Sequence, residues 1–372
     1  LQEAGDRKAG LHPLTEERAF AWVFLLFSVA ILILAVTLQV AVDPRGDFSP
    51  GLGVPEKFTT RFNARKEKLQ LLERLEGNPP QAYVIGSSRV MWMNPHLIAA
   101  LTGLRSFNFG IPVGMPEDFY CVSRHILESR NPPPRLIILG IDDVSFSGRG
   151  DKIERTAGDA YDFFACPALL KFLDDADRPG PLGLLARKVV TAIDRAYFNE
   201  TLTCISIRSS GRRMIKQCLL DEAGYTYYSQ FDQRLKMGML SLDDEIEHYK
   251  TMWKKQYATY RDLSPARKKY FERLLALCRN NHIRLIVYIT PMHERLRESL
   301  ARDENFAGID AKLRLYLKEM QQKYAFELWD FASVSSFNGR EDDFFDGIHC
   351  RVFNNEMMVR EMLKPRQSIP RQ

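Results

Sequence analysis

Gln81-Ala82-Tyr83-Val84-Ile85-Gly86-Ser87-Ser88-Arg89 is the stretch whose reading decides the fold. Four residues with apolar bodies, Ala82 to Ile85, run into a glycine, two hydroxyls and an arginine. From Val90 to Thr102 the pattern turns helical. This order predicts a buried strand ending in a tight turn that presents a serine at the start of a helix. Gly86 lets the backbone turn without a Cβ clash. A helix start offers unpaired N–H groups and a positive dipole end, which stabilise negative charge developing near the serine. The same residues also suit an ordinary turn, because serine is a common helix cap.

Working outward, Arg105–Phe109 reads as a second short strand, Leu136–Leu139 and Ile283–Ile289 are apolar runs of the kind found in buried parallel strands, and Phe326–Asp330 gives a fifth strand. Helical stretches lie between them, among them Met115–Ser129, Ser264–Asn280 and Ile309–Tyr324. The alternation predicts an α/β fold with a doubly wound, mainly parallel five-stranded sheet and right-handed crossovers. Such sheets bind ligands at the carboxyl ends of their strands. Ser88, Gly110, Asp142 and His293 each follow a strand run directly.

A second informative stretch lies far along the chain, at Asp342-Asp343-Phe344-Phe345-Asp346-Gly347-Ile348-His349-Cys350. A carboxylate three residues before an imidazole can bind one ring nitrogen and leave the other free to act as a base. Strand-Gly-x-Ser early plus Asp-x-x-His late supplies a nucleophile, a base and an orienting group: Ser88, His349 and Asp346. Ser87 is the alternative nucleophile.

With these blocks in view, the chain resembles the SGNH (GDSL-type) hydrolase superfamily over roughly residues 80–142 and 282–362. Gly86-Ser87-Ser88 matches the first block with Ser in place of Asp, which puts Ser88 at the nucleophile position. Asn108-Phe109-Gly110 stands at the second block, and the resemblance implies that Gly110 lends its N–H to an oxyanion hole. Gly140-Ile141-Asp142-Asp143 stands at the third, with Asp142 replacing the usual Asn. An ionised Asp accepts hydrogen bonds and donates none, and one missing oxyanion donor costs about 2.7–4 kcal/mol of transition-state stabilisation. The Gly-Ser-Ser variant with an N-terminal anchor looks like the membrane-tethered SGNH-like (flavodoxin-like) proteins of alginate O-acetylation and teichoic-acid D-alanyl transfer. That resemblance implies an O-acyltransferase acting on an extracytoplasmic polysaccharide beside a multi-spanning membrane O-acyltransferase. A carbohydrate acetyl esterase and a catalytically silent polysaccharide-binding subunit are the rival expectations. Arg89 and His293 are candidates for substrate binding, with structural roles as the alternative. His96, His125, His248 and His282 read as structural or surface residues.

Phe20–Val42 carries no charged residue, and Ser28, Thr37 and Gln39 are its polar interruptions. That run matches the ~20 residues needed to cross a bilayer and exceeds the ~7–15 of a signal-peptide core. A single-pass anchor in the inner or plasma membrane is expected. Basic residues flank both ends, so the periplasmic placement of the large domain comes from the resemblance alone. The expected organisation is a tail over 1–19, a span over 20–42, a linker and helix over 43–80, and an SGNH-like domain over 81–372; the helix, Arg61–Glu76, is highly charged and is expected on the outside of the domain. A large insertion is expected over 143–262, rich in aromatics and basic residues. Its Tyr161, Phe163, Phe164, Tyr197, Phe198, Tyr225, Tyr227 and Tyr228 suit either a core of its own or a sugar-binding surface. Arg208, Arg212, Arg213 and Lys216 suit carboxylate or phosphate groups.

The 372 residues carry a net charge of +5, spread too evenly to point to nucleic acid. Zinc-type spacings, Walker loops and dinucleotide fingerprints do not occur, so no metal or cofactor is expected. Six cysteines allow 15 full pairings, and Cys204 with Cys218 is the expected bridge.

Overall fold

Apolar side chains alternate between two faces along the three inner strands of the central sheet, and helices cover both faces. The computed structural model describes residues 16–44, 48, 63–129, 131–148, 153, 155, 163, 166–210 and 218–364. Most of the expected tail and linker, together with Tyr161, Phe164, Arg212, Arg213 and Lys216, lies outside the described residues.

In chain order the first helices and strands are α1 (Glu16–Val42), α2 (Ala64–Arg74), β1 (Ala82–Gly86), α3 (Pro95–Thr102), β2 (Ser106–Gly110), α4 (Pro116–Ser129) and β3 (Leu136–Ile141). Next come α5 (Pro167–Leu170), α6 (Pro181–Ala192), α7 (Arg195–Ser209), β4 (Cys218–Leu220), β5 (Thr226–Ser229), α8 (Gln230–Lys236) and α9 (Leu242–Tyr257). The chain closes with α10 (Pro265–Asn280), β6 (Arg284–Ile289), α11 (Glu294–Ala301), α12 (Glu304–Tyr324), β7 (Glu327–Asp330) and α13 (Val352–Leu363). Two compact units result: Leu1–Arg61 with Leu185–Ile215, and Phe62–Leu184 with Lys216–Gln372. The stretch expected to form one insertion, 143–262, is therefore divided between them.

In the larger unit the sheet runs β2-β1-β3-β6-β7, parallel throughout. Counting only these strands, the order is 2-1-3-4-5, which places a topological switch point between β1 and β3. Tyr83, Ile85, Phe107, Phe109, Ile137, Leu139 and Val287 face one layer, containing buried residues of α2, α4, α10, α11 and α12. Ala82, Val84, Ile138, Ile286 and Tyr288 face the other, containing Ile98 of α3 and Met358, Val359 and Met362 of α13. Both faces are dry at the centre of the sheet, which is why β1, β3 and β6 read as continuous apolar runs.

Three local expectations are corrected. The helix expected directly after the serine does not begin there. Ser88–Val90 forms one 3-10 turn, and α3 starts only at Pro95, where Asn94 caps the N–H groups of His96 and Leu97. Asn followed by Pro is a strong helix start, whereas Val90, Met91 and Met93 are all buried in the turn that precedes it. The charged helix α2 was expected on the outside, yet Arg65 and Lys68 are buried. Arg65 makes a two-pronged ion pair with Asp118 of α4, at 2.7 and 3.1 Å, and Arg155 also reaches Asp118 at 2.8 Å. The Cys204–Cys218 bridge is not formed, and the two residues belong to different units.

In the smaller unit the last turn of α1 holds the start of α7. Gln39 Nε2 donates to the Ala192 carbonyl at 2.9 Å, and the Tyr197 hydroxyl donates to Asp43 Oδ1 at 2.8 Å. Among the described residues α1 is the one helix long and apolar enough to cross a membrane. Its apolar side chains are bare: Phe20 is 72% exposed and Leu34 69%.

Candidate active site

Three strand-end glycines build the floor of the site. A Cβ on Gly86, Gly110 or Gly140 would lie within 2.8, 2.7 or 2.4 Å of the Val90 methyls. Val90 thus plugs a notch between β1, β2 and β3 that any side chain would fill. Asn108, buried inside β2, ties the same turn down. Its Nδ2 donates to the carbonyls of Val90 and Met93, both at 2.8 Å, and its Oδ1 accepts the Gly110 N–H at 2.7 Å. The result is a fixed platform for Ser88, which is half-exposed while its neighbours are buried.

Ser88 meets the late loop here, across 261 positions of chain. Its Oγ lies 2.8 Å from His349 Nε2, and His349 Nδ1 lies 2.7 Å from Asp346 Oδ2. With Nδ1–H given to the carboxylate, Nε2 is left to accept the serine hydroxyl. Asp346 Oδ1 also accepts the N–H groups of Ile348 and His349, each at 2.8 Å. Burial pushes the Asp346 carboxyl up, but His349 and the two backbone donors outweigh it and hold the group below the ordinary carboxylate range. Trp92, Phe231 and Tyr249 pack edge-on or tilted around His349, with ring centroids 5.2 to 6.4 Å away, and Phe345 backs Trp92 at 5.0 Å. Phe231 and Tyr249 come from α8 and α9, so part of the added stretch walls the imidazole.

The other sequence candidates occupy different roles from those expected. Gly110 has its N–H engaged by Asn108, so it is not an open oxyanion donor; its smallness makes room for Val90. Asp142 is an acceptor on both oxygens, from the hydroxyls of Ser87 and Ser145 at 2.8 Å each. Ser87 is thereby committed to Asp142 and is buried, whereas Ser88 faces His349. Arg89 is neither exposed nor open to an anion. It lies 3.7 Å from Asp142 and 3.6 Å from Asp143, donates to Thr290 at 3.1 Å, and stacks 4.9 Å from the Trp253 ring centroid. Burial pushes the Asp143 carboxyl up to about 7 against the pull of Arg89, and the Asp142 charge adds to burial.

His293 does not reach the serine. It caps α11, sits 3.2 Å from Glu341, and its backbone N–H donates to the Gly347 carbonyl at 3.0 Å. It therefore holds the loop that carries Asp346 and His349. Burial, followed by the Arg295 charge, pushes its pKa down.

Sequence reasoning missed Asn108 as an anchor, and it missed Lys68, Phe231, Tyr249 and Trp253. An asparagine between the two phenylalanines of the strand Ser106-Phe107-Asn108-Phe109 was a usable signal, since a buried amide needs several partners. Lys68 gave none, sitting in a charged helix. Its Nζ donates to the Asn108 carbonyl at 2.9 Å, and burial drops its pKa from 10.5 to about 7 against the opposing charges of Cys218 and Asp221. Between those two values the folded chain carries fewer protons here than the unfolded chain, so stability rises with pH across that window. Denaturant unfolding between about pH 7 and about pH 9 should show this rise in the wild type and a flatter profile in Lys68→Met.

Among the described residues no group of three or more His, Cys, Asp or Glu side chains could hold a metal ion. No family model matches the chain, and no curated protein does. It is similar to a crystal structure of a presumptive acylhydrolase from Bacteroides fragilis, at 11% identity and a TM-score of 0.34, over 82% of this chain and 100% of that one.

Proposed function

We propose that this chain is a membrane-anchored serine O-acyltransferase of SGNH type that moves an acyl group, acetyl by preference, on an extracytoplasmic polysaccharide. One observation carries the reading: the unbroken hydrogen-bonded line from Ser88 Oγ through His349 to Asp346, at the switch point of a parallel sheet. Ser88 Oγ attacks the acyl carbonyl while His349 Nε2 takes its proton. Collapse of the tetrahedral intermediate returns that proton to the leaving oxygen and leaves an acyl-serine. A sugar hydroxyl then attacks, gives its proton to His349, and Ser88 recovers it on release. Asp346 keeps the ring in the required tautomer and stabilises the imidazolium.

The Ser88 N–H makes no hydrogen bond among the described residues and is the donor this reading assigns to the oxyanion. Gly110 and Asp142 add none. The aromatic walls around His349 support delivery of the acyl group to a bound hydroxyl in preference to water. The domain lies in the periplasm on this reading, with a glycopolymer as acceptor and a multi-spanning membrane O-acyltransferase as the source of acyl groups. The chemistry needs no cofactor and no nucleic acid. The second reading, a silent polysaccharide-binding subunit, is favoured by the acceptor character of Asp142.

A fluorophosphonate probe distinguishes the two. Mass spectrometry should map the label to Ser88 in the wild type. Ser87→Ala should keep the label while losing about 1–3 kcal/mol of stability, because Asp142 loses a charged hydrogen bond. An unlabelled, folded wild type supports the silent reading. Acetate released from an acetylated polymer without any acyl donor supports an esterase.

A further inference from the structure

Helix α6 shows its apolar side to solvent. Leu182, Leu185, Val189 and Ile193 recur at helical spacing along one side and are 81, 58, 52 and 55% exposed. Val190, beside that stripe, is 63% exposed. Burial along the helix is confined to its end, at Thr191 and Ala192, with Leu184 half-buried; Lys188 is exposed at the flank of the stripe. A helix packed on a protein core has the reverse arrangement. A contiguous apolar patch of this kind marks a surface that something covers.

Its position says what covers it. The end of α6 and the start of α7 are pinned to the last turn of α1 by Gln39 on Ala192 and by Tyr197 on Asp43. Phe48, just beyond that turn, packs edge-on against Tyr197 at 5.8 Å. If α1 spans the bilayer, Gln39 and Asp43 mark the level at which it leaves the hydrocarbon, because ~20 residues cross the core. Ile193 adjoins the pinned Ala192, so the stripe on α6 starts at that same level. Leu202 and Ile205 of α7 add further exposed apolar area, at 46 and 38%.

We infer that α6 is an interfacial membrane helix. Leu185, Val189, Val190 and Ile193 seat at the boundary between headgroups and acyl chains, and Lys188 and Arg195 reach towards anionic headgroups. The lipid surface is the occupant. This inference rests on α1 spanning the membrane and is independent of the chemistry at Ser88.

The test uses the full chain reconstituted into vesicles of phosphatidylethanolamine and phosphatidylglycerol. A nitroxide is attached singly at Leu32→Cys in α1, at Leu185→Cys, Val189→Cys and Lys188→Cys in α6, and at Leu315→Cys in α12, with the unsubstituted chain as labelling background. The replaced side chains at 32, 185, 189 and 315 are 53, 58, 52 and 60% exposed, so none of these changes empties a core. Collision rates with oxygen and with a water-soluble nickel chelate report depth. The ratio of oxygen to nickel collisions at 185 and 189 should lie below that at 32, which sits deeper in the bilayer, and exceed that at 188 and 315 severalfold. Water-like values at 185 and 189 with a lipid-like value at 32 would overturn the inference and leave the span standing. A water-like value at 32 removes both. Lipid-like values at 185 and 189 that arise only after a membrane protein is co-reconstituted would assign the face to that protein and overturn the lipid assignment.

Discussion

Ser88→Ala is expected to abolish fluorophosphonate labelling and to slow acyl turnover by at least about 10⁴-fold. The hydroxyl it removes is the one 2.8 Å from His349 Nε2. Ser87, one residue away, cannot replace it, because that hydroxyl is buried and given to Asp142. The Ser88 side chain makes no other hydrogen bond among the described residues, so the variant should unfold within about 1 kcal/mol of the wild type. Single-turnover acylation, followed with an activated acyl ester, reads the effect directly. A variant that keeps labelling or turnover would remove Ser88 from the chemistry.

Asp346→Asn should be nearly as damaging, lowering kcat about 10⁴-fold with little change in KM. The reason is the proton on the ring. The replacement amide keeps an oxygen for the Ile348 and His349 N–H groups, which leaves its NH₂ facing His349 Nδ1. Nδ1 must then accept, the ring proton moves to Nε2, and Nε2 can no longer take a proton from Ser88. Stability should respond with a definite sign. The native Asp346 carboxyl is held below its ordinary pKa of 3.8, so its contribution is present above that value and is lost as pH falls through the folded one. Acid unfolding below about pH 4 should therefore be steeper in the wild type than in Asp346→Asn. Equal slopes would mean that the carboxylate is not stabilised by its partners.

Much of this site can be read along the chain because its parts are local. Buried parallel strands are continuous apolar runs, so Ala82–Ile85, Leu136–Leu139 and Leu285–Ile289 announce themselves by composition. An Asp three residues before a His, with glycine between, needs no distant group to make its hydrogen bond. The capping of α3 by Asn94 before Pro95 is equally local, and it outweighs the weaker expectation of a helix starting at Ser88.

The corrected roles share a different origin. Gly110 carries the right residue at the right spacing, but the direction of its N–H is decided by the Asn108 side chain turning back two residues. Arg89 looks like an anion site until Asp142 and Asp143 arrive from β3, Thr290 from the end of β6 and Trp253 from α9. Asp142 becomes an acceptor because Ser87 and Ser145 both point hydroxyls at it. For Arg89, and for the bond from Ser87 to Asp142, the decisive partners come from other elements, and burial changes the energy of a charge by far more than the identity of its sequence neighbours does.

By itself the amino-acid order determined the strand runs, the apolar helix at the start and the pairing of Asp346 with His349, because backbone propensity and hydrogen bonds three residues apart act at short range. The fold alone decided that Ser88 and not Ser87 faces the imidazole, and that Arg89 is neutralised before any substrate arrives. It alone turned the apolar side of α6 outward beside the end of α1. Those outcomes depend on which surfaces lose water against each other, a property that exists only once distant segments have packed.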